Sequence, residues 1–251
     1  KSLTSIFLRV KKLNKSCQKF PVNKSNPWLL SHQLLKHLDQ GVIETLFSLG
    51  NGTLGTRGTS GYAQGTVAPE CEGTYINGAY ISEVINYDES AYGFAQSNNK
   101  MLQVNNSKTI EISTNNGVFK VDKIDDLSLN LQTASYHESL QLSTKAGERI
   151  KLFITRIVCQ HQADLMINHF VIESINFTGK LQIKSLICRN NSLPQNNNDP
   201  RVGNLSADHQ LTLIDSASTA EFSYQLQHLE NPDSLLIVGT SHYFKQKINY
   251  V

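Results

Sequence analysis

Charged residues are scarce in this chain of 251 residues, and their scarcity limits the partners it can have. Asp, Glu, Lys and Arg make up 18% of the sequence, where globular proteins commonly have about 25%. Basic and acidic residues nearly balance, at 23 against 21, so the formal net charge is +2. A protein that binds nucleic acid uses a strongly basic surface to neutralise phosphates. The sequence therefore predicts that nucleic acid is not a partner.

Long hydrophobic runs are missing as well. No segment approaches the roughly 20 apolar residues that span a bilayer, and residues 1–15 contain only the short apolar run 6–8. A secretory signal needs an apolar region of about 7–15 residues. We therefore expect no membrane association and a cytoplasmic location. The chain begins with Lys1 and not with a methionine, which is typical of a piece of a longer protein.

Cysteine and histidine occur without the spacings that metal sites require. The four cysteines lie far apart in the sequence, with no Cys-x-x-Cys pair, at Cys17, Cys71, Cys159 and Cys188. The eight histidines do not form a ligand set with them or with each other. The sequence predicts no metal and no cofactor, and it predicts that the cysteines are reduced and mostly buried.

Most of the remaining sequence shows the alternation and turn residues of β-strands. Asn, Ser, Thr and Gln take the place of charged residues, and Asn, Ser and Thr compete with helical hydrogen bonds. Asn116-Gly117 lies between two alternating segments and predicts a hairpin, because Gly supplies the positive φ of a two-residue connection. Further alternating segments are 127–131, 140–142, 150–154, 165–171, 181–188, 211–213, 222–226 and 235–238.

Helical periodicity is almost absent. One short helix is predicted over 26–41, where Asn26 and Pro27 resemble a helix start and Gly41 follows the last apolar residue of the stripe. At least nine strands with short connections predict an all-β fold, a large antiparallel sandwich of two sheets. We expect one domain over residues 21–251, preceded by an N-terminal extension over residues 1–20.

A glycine-rich segment, Gly50–Gly65, holds six of the fifteen glycines. Its first six residues satisfy G-x-G-x-x-G, a pattern that binds dinucleotides only where a strand ends and a helix begins. The next ten residues bring three more glycines and no apolar stripe, so a nucleotide site is not predicted. We expect a loop that contributes nothing to the core, followed by irregular connections over 66–107.

Acidic and aromatic side chains gather between residues 62 and 92. They are Glu70, Glu72, Glu83, Asp88 and Glu89, with Tyr62, Tyr75, Tyr80, Tyr87 and Tyr92. Two carboxylates held about 5–10 Å apart run glycoside hydrolysis, but a solvated loop would show the same acidic pattern. Tyrosines and carboxylates suit a sugar-binding surface and equally a protein interface. The sequence leaves these alternatives open.

Two blocks of sequence resemble a known family. The first is ETLFSLGNGTLGTRG at residues 44–58, and the second is GTYINGAY at residues 73–80. They are similar to the opening signature of glycoside hydrolase family 65, which contains maltose, kojibiose and trehalose phosphorylases and their hydrolase relatives. The resemblance covers residues 28 to 250. Further matches, in the order of the family's sandwich strands, are Arg156-Ile157-Val158, Asn176 and Ser185.

The resemblance implies an N-terminal β super-sandwich like that of galactose mutarotase. In this family the sandwich precedes an (α/α)6 barrel that holds the catalytic glutamate and the phosphate site, and we expect that barrel to be absent from this chain. No catalytic residue is therefore assigned here. The parent would be an inverting phosphorylase of an α-glucosidic disaccharide, although Thr53, Thr59 and Cys159 depart from the family pattern and leave a hydrolase open. The implied partners are the barrel, a second copy in a homodimer and the disaccharide.

The two blocks also supply candidate site residues. Glu44 and Arg57 are expected to form an ion pair or backbone clamp that fixes the glycine-rich segment. Asn51 is expected to occupy a turn within it. Three residues of the second block are candidates for facing the barrel, a neighbouring subunit or a sugar: Tyr75, Asn77 and Tyr80.

Two other functions fit the sequence. A free-standing carbohydrate-binding module could use the tyrosine-rich region as its binding surface. A mutarotase-like epimerase would need an acid and a base of its own, and it predicts His161 or His169 beside a carboxylate in an open cleft.

Overall fold

The computed structural model of the chain describes its residues in several ranges. These are 26–63, 72–85, 87, 89, 91–188, 211–219, 221–229 and 233–244. The described residues contain one α-helix, α1 (Gln40–Leu46), one 3-10 helix (His32–Leu35) and otherwise mostly strands. No helix among them is long and apolar enough to cross a membrane. The prediction of a mainly β fold is confirmed.

Fifteen strands run through the described ranges. In chain order they are β1 (Leu29–Ser31), β2 (Leu49–Gly50), β3 (Leu54–Thr56), β4 (Thr74–Val84), β5 (Ser97–Gln103), β6 (Asn106–Thr114), β7 (Gly117–Val118), β8 (Lys120–Asn130), β9 (Ser135–Ser143), β10 (Arg149–Val158), β11 (Met166–Ser174), β12 (Gln182–Cys188), β13 (Leu211–Ser218), β14 (Phe222–Leu229) and β15 (Ser234–Ser241). Each pairing between these strands is antiparallel. The antiparallel part of the prediction is confirmed.

The strands form four hydrogen-bonded groups. The largest is a five-stranded sheet in the order β1-β8-β9-β10-β11, and a four-stranded sheet runs β2-β3-β4-β5. The two remaining groups have three strands each, in the orders β12-β6-β7 and β13-β14-β15. The structure therefore divides the expected pair of sheets into smaller pairing groups within the described ranges.

The β6–β7 hairpin shows why a turn dipeptide can predict local structure. Strands β6 and β7 pair Thr114 with Gly117, and Gly117 has a φ of +131°. Such a backbone conformation favours glycine, because a side chain would meet the preceding carbonyl. The hairpin forms as predicted, with Asn115 and Asn116 as its two connecting residues and Gly117 as the first residue of β7.

Alternation along β9 and β10 builds the first core. Leu140, Leu142, Ile150 and Leu152 are almost completely buried and point to one face of the five-stranded sheet. Together with Ile110 and other side chains of β6, they form one hydrophobic cluster. Period-two apolar residues thus pack one face of a sheet against a neighbouring strand.

Two further clusters surround this core. The first joins α1 and the β2–β3 hairpin to the other end of the five-stranded sheet, through residues such as Phe47, Leu54 and Leu129. The second joins β4 and β5 to the β13–β15 sheet, through residues such as Leu102 and Val238. The helix and the glycine-rich segment therefore share a core with the largest sheet.

The predicted helix over 26–41 is wrong. Leu29 lies in β1 and pairs with Asn130 of β8, whereas Leu35 belongs to the 3-10 helix and is completely buried. Gly41 lies inside α1 and not beyond a helix end. Strand pairing and burial determine the structure here, since tertiary contacts override the propensity of so short a segment.

Two predictions for the region around the glycines are also wrong. Residues 66–107 contain the long strand β4 and the strand β5, where irregular connections were expected. The glycine-rich segment is described as far as Ala63, and it contributes the buried side chains Leu54 and Tyr62 to two cores. The sequence pattern missed this because single apolar residues between glycines give no periodicity.

Candidate functional site

The glycine-rich segment is held against the five-stranded sheet through Asn51. The Asn51 Oδ1 atom accepts hydrogen bonds from the backbone N–H groups of Thr53 (2.9 Å) and Leu54 (2.8 Å). Its Nδ2 atom donates to the carbonyl oxygens of Cys159 (2.7 Å) and Ala163 (3.0 Å), where the chain leaves β10. Asn51 thus both closes the β2–β3 turn and ties it to the sheet.

Arg57 and Glu44 lie on opposite sides of the junction between the segment and α1. The Arg57 Nη2 atom is 3.8 Å from the Oε2 atom of Glu44 and donates to the carbonyl oxygen of Gly41 at 2.9 Å. The Arg57 backbone N–H donates to the carbonyl oxygen of Gly73 at 2.8 Å. Glu44 is almost fully buried. The two residues therefore connect helix, segment and the start of β4.

Gly58 allows the segment to approach α1 closely. Its N–H donates to the carbonyl oxygen of Glu44 at 2.8 Å. A Cβ atom at this position would lie 2.3 Å from the Cβ atom of Phe47 and 2.8 Å from its backbone carbon. Only glycine fits this contact without a shift of the backbone.

A buried ion pair lies beneath the segment. The Lys108 Nζ atom of β6 contacts the Oε1 atom of Glu72 and donates to the Thr56 hydroxyl at 2.9 Å. The Glu72 carboxylate also accepts from the Thr59 hydroxyl (2.6 Å) and from the N–H of Gly73 (3.0 Å). Lys108 and Glu72 are 1% and 3% exposed. Each charge therefore has an opposite charge and a hydroxyl within hydrogen-bond distance.

Burial and the ion pair shift the pKa values of Lys108 and Glu72 in opposite directions. Burial lowers the pKa of Lys108 from 10.5 to about 8, although the neighbouring Glu72 carboxylate opposes that shift. Burial alone would raise the pKa of Glu72, but Lys108, the Thr59 hydroxyl and Arg156 together bring it below its ordinary value. Glu72 is therefore held as a carboxylate.

Arg156 extends the buried network across β10. Its Nη1 atom donates to the carbonyl oxygen of Thr59 (3.0 Å), and its Nε atom donates to the Asn168 Oδ1 atom (2.9 Å). Its guanidinium carbon lies 4.7 Å from the centre of the Tyr136 ring, which is within the range of a cation–π contact. The guanidinium group is completely buried and connects the segment to two strands.

Glu138 on β9 is the third buried carboxyl group of the network. Its Oε2 atom accepts from the N–H of Gly61 at 3.2 Å. Burial raises the pKa of Glu138, and hydrogen bonds from Ser60 and Gly61 together with the charge of Arg156 only partly oppose the rise. This group therefore holds its proton more tightly than an exposed glutamate.

The charged residues described above form a buried network, and its contacts hold the backbone of the glycine-rich segment in place. Three acidic and three basic side chains belong to it, from α1, β6, β9, β10, the segment and the residues just before β4. They are Glu44, Glu72, Glu138, Arg57, Lys108 and Arg156. A general acid has to come within hydrogen-bond distance of its substrate. These carboxyl groups are buried and contact protein groups instead.

The candidates of the second block lie on β4. Tyr75 pairs across the sheet with Gln103, and its ring lies against the backbone of Gly73. Asn77 is exposed, and its Oδ1 atom accepts from the Tyr80 hydroxyl at 3.0 Å. The structure therefore brings Asn77 and Tyr80 together and places Tyr75 nearer to the buried network.

The acidic cluster of the sequence does not form one site in the described residues. Glu72 is buried and ion-paired, so the alternative of a solvated loop does not hold for this residue. Glu89 is exposed. Glu70 and Asp88 lie outside the described residues, and so does the side chain of Glu83.

The histidine and cysteine predictions have mixed outcomes. His169 pairs across the sheet with Thr155, which carries a hydroxyl and not the carboxylate that an epimerase would need. Cys188 is exposed and Cys159 half-buried, so the expectation of buried thiols is wrong for Cys188. Cys17 and Cys71 lie outside the described residues. Within the described ranges, no group of three or more His, Cys, Asp or Glu side chains could hold a metal ion.

Lys108, Glu138 and Arg156 were not predicted as functional residues. The positions of Arg156 and Glu138 in the strand alternation indicate that they are buried. Arg156 continues the alternation of Ile150, Leu152 and Ile154, which all face the core. Glu138 occupies a core-facing position two residues before Leu140. A charged residue at a core-facing position of an alternating strand predicts a buried partner of opposite charge.

Comparisons with known proteins place these features in a family. The family model described as glycosyl hydrolase family 65, N-terminal domain, matches residues 30–247. An alpha,alpha-trehalose phosphorylase of Thermoanaerobacter brockii is 32% identical over 179 residues, which cover 69% of this chain and 23% of that protein. The corresponding enzyme of Geobacillus stearothermophilus is 28% identical over 185 residues, covering 71% and 24%.

Two further relatives extend the comparison. An uncharacterized glycosyl hydrolase of Mycobacterium tuberculosis is 24% identical over 227 residues, covering 89% of this chain and 28% of that protein. The fold is similar to that of a kojibiose phosphorylase-like protein from the human microbiome, with a TM-score of 0.64 and 16% identity over 84% of this chain and 27% of that one. The chain thus spans about a quarter of the length of these relatives. It belongs to glycosyl hydrolase family 65, within the N-terminal domain of that family.

Proposed function

We propose that this chain is the non-catalytic N-terminal domain of an inverting phosphorylase that cleaves an α-glucosidic disaccharide. The observation that carries the proposal is the buried network, because its carboxyl groups are engaged with Lys108, Arg156 and backbone N–H groups. Groups used in this way stabilise the fold and do not reach a sugar. The names of the relatives, trehalose phosphorylase and kojibiose phosphorylase-like protein, support the substrate class.

The reaction needs groups that another part of the enzyme would supply. In inverting phosphorolysis a carboxylic acid protonates the leaving glycosidic oxygen, while phosphate attacks the anomeric carbon from the opposite face of the sugar. In a hydrolase, a base-activated water takes the place of phosphate. The proposed role of this domain is to hold a helical barrel that carries those groups.

We assign positioning roles to the residues of the first block. Glu44 and Arg57 form the clamp between α1 and the segment, and Asn51 fixes the turn. Arg57 lies 3.8 Å from Glu44 and donates to the carbonyl oxygen of Gly41 in α1, and Asn51 donates to that of Cys159 after β10, which supports the assignment. Tyr75, Asn77 and Tyr80 are proposed to lie toward the barrel or a neighbouring subunit.

The remaining features of the proposal follow from the family. We propose that the four pairing groups together form a β super-sandwich of the mutarotase type. A homodimer in the cytoplasm is proposed for the whole enzyme, with the disaccharide bound outside this domain.

An activity assay on the purified chain tests the proposal. Trehalose, kojibiose and maltose are each incubated with phosphate and the chain, and the release of glucose 1-phosphate and glucose is measured. We expect no product above the level of a heat-treated sample. Turnover by the chain alone would overturn the non-catalytic role, and saturable sugar binding in calorimetry would favour a binding module instead.

A further inference from the structure

Strand β11 forms one end of the five-stranded sheet. In the described ranges it pairs with β10 alone, in a continuous register from Met166 to Ser174. The strand at the other end of this sheet, β1, has only three residues. Strand β11 has nine residues and contains no proline, lysine or arginine. Proteins commonly protect edge strands from pairing with another chain by shortness, proline, lysine or a bulge, so β11 is an unprotected edge.

The hydrogen bonds at both ends of β11 show which backbone groups face outward. The N–H of Ile175 donates to the carbonyl oxygen of Arg149, and the carbonyl oxygen of Leu165 accepts from the N–H of Cys159. Because hydrogen-bonded residues alternate along an antiparallel ladder, the odd-numbered residues direct their N–H and C=O groups toward β10. The even-numbered residues direct theirs away from β10. The residues that present backbone groups at the outer edge are therefore Asn168, Phe170, Ile172 and Ser174.

The odd-numbered side chains of β11 lie on the face of the strand that points away from the core. Val171 is 38% exposed, and Ile167 and Ile175 are exposed as well. His169 and Glu173 lie between them and are also exposed. The even-numbered side chains point inward, and two of them pack on the first core. The outward row thus alternates apolar and titratable side chains.

This row is complementary to itself when two copies of the chain pair antiparallel around Val171. Val171 then lies opposite the same residue of the second copy, His169 lies opposite Glu173, and Ile167 lies opposite Ile175. The register also places even-numbered residues opposite even-numbered residues, so the outward N–H and C=O groups meet as a hydrogen-bonded ladder requires. Apolar pairs and pairs of opposite charge across neighbouring strands are favourable.

We propose that two copies of this chain associate by antiparallel pairing of β11 along its outer edge, in the register centred on Val171. The two sheets then continue as one larger sheet across a two-fold axis. The neighbouring two-fold register, centred on Phe170, places His169 opposite Val171 and Glu173 opposite Ile167, so it loses the complementary pairs. The proposal follows from β11 and does not depend on the reaction proposed for the parent enzyme.

Cysteine substitutions test the pairing and its register. Residue 171 forms a non-hydrogen-bonded pair with its own copy, because its N–H and C=O groups face β10, and the Cα atoms of such a pair lie about 4.5 Å apart. A disulfide spans that separation. We expect the Val171→Cys chain, incubated with oxidised glutathione, to form a disulfide between two copies of residue 171, identified by mass spectrometry. Ile124→Cys on β8 is the matched control, with 41% exposure of the isoleucine, and should form no such link.

Sedimentation of the purified chain measures the association itself. Interfaces formed by one strand edge are small and weak, so the chain is measured at about 100 µM. We expect a monomer–dimer equilibrium for the wild type. Val171→Lys places two like charges on the two-fold axis and should raise the dissociation constant about tenfold or more, whereas Ile124→Lys should leave it unchanged. Circular dichroism and thermal unfolding establish that both variants are folded.

A charge exchange tests the contact between His169 and Glu173. His169→Glu places two carboxylates opposite each other across the interface and should weaken the dimer. Addition of Glu173→Lys restores opposite charges in the same register, so the double variant should regain dimer formation. Because Glu173 also faces Lys151 of β10, the melting temperature of each variant is measured alongside to separate monomer stability from association.

Three results would overturn the proposal. A wild-type chain that sediments as a monomer and a Val171→Cys chain without the 171–171 disulfide would exclude pairing at this edge. Dimers that persist unchanged in Val171→Lys would place the interface elsewhere on the chain. Links between residues 169 and 171 in a mixture of His169→Cys and Val171→Cys chains would assign the register centred on Phe170.

Discussion

Lys108 and Glu72 show how a buried charge pair serves this fold. Both side chains are almost completely buried, and each has a charged partner and a hydroxyl. Such a pair adds little net stability by itself, because both charges lose hydration. The pair also holds the glycine-rich segment, since the Thr56 and Thr59 hydroxyls contact the two charged groups.

Removal of Lys108 alone should therefore lower the free energy of unfolding more than removal of both charges. We expect Lys108→Met to lower the free energy of unfolding by about 3–5 kcal/mol, because Glu72 is left buried without its ion-pair partner. Adding Glu72→Gln to that variant should restore a substantial part of the loss. Urea unfolding followed by circular dichroism measures each value.

An exposed ion pair provides the matched control for this substitution. Lys123 lies 2.8 Å from Asp125, but its side chain is 66% exposed. We expect Lys123→Met to change stability by only about 0–1 kcal/mol. Equal losses for Lys108→Met and Lys123→Met would contradict the buried placement of Lys108.

Glu138 should give the protein a distinctive pH dependence. Its pKa in the folded protein lies above the ordinary value of 4.5, so its contribution to stability is complete below pH 4.5 and decreases as the pH rises through the folded pKa. We expect the stability difference between wild type and Glu138→Gln to shift in favour of the variant as the pH rises from 4.5. Urea titrations at several pH values measure this difference, and a constant value would be inconsistent with the raised pKa.

The contribution of Glu72 to stability has the opposite pH dependence, and it changes in a lower pH range. Its pKa is lowered, so its stabilising contribution is present above pH 4.5 and decreases as the pH falls toward its folded pKa. The slope assigned to Glu138 is therefore best measured above pH 4.5. Below that pH the contribution of Glu138 is constant, and the contribution of Glu72 changes.

Single residues were only partly predictable from the sequence. The clamp between Glu44 and Arg57 and the turn at Asn51 stay predictions from the sequence. In the structure the Arg57 Nη2 atom lies 3.8 Å from the Glu44 Oε2 atom, and the Asn51 Oδ1 atom accepts from the N–H of Thr53. The partners of Lys108 could not be predicted, because Glu72 is 36 residues distant in sequence. Burial of that pair depends on the packing of three elements.

At the scale of elements, the segment from Gly50 to Gly61 depends on glycine only at certain positions. Gly58 lies against Phe47 so closely that a Cβ atom would overlap with it. Gly55 has open space, since the nearest atom to an added Cβ is the Leu49 carbonyl oxygen at 3.9 Å. The two glycines therefore provide a direct comparison.

We expect Gly58→Ala to destabilise the protein and Gly55→Ala to be tolerated. The first substitution forces the segment away from α1 and should cost about 1–3 kcal/mol or more, as overpacked cores do. The second should change stability by about 0.5 kcal/mol, as for a neutral surface substitution. Thermal unfolding of both variants gives the comparison, and similar melting temperatures would be evidence against the close contact.

Elements with strong local signals were predictable, and the others were not. The β6–β7 hairpin and the alternating strands β9 to β15 follow from Asn-Gly and from period-two apolar residues. The 3-10 helix and α1 replaced the expected helix because Leu35 and Phe47 are fixed by a shared core. Strand β4 was not predicted, because its glycines and tyrosines interrupt the alternation of apolar and polar residues.

At the scale of the whole molecule, the antiparallel β character followed from composition and turns. The division into four pairing groups did not, because strand order depends on contacts between distant segments. The shared cores explain how the groups hold together. They connect the five-stranded sheet to α1 and the β2–β3 hairpin at one end, and to β6 and Tyr62 at the other.

We propose that the buried carboxyl groups stabilise the domain and take no part in a reaction. Parallel measurement of stability and of disaccharide phosphorolysis in wild type, Glu72→Gln and Glu138→Gln tests it most directly. We expect altered unfolding free energies in both variants, with product formation at background level in all three proteins. Measurable turnover by the wild type that disappears in either variant, at unchanged stability, would contradict the claim.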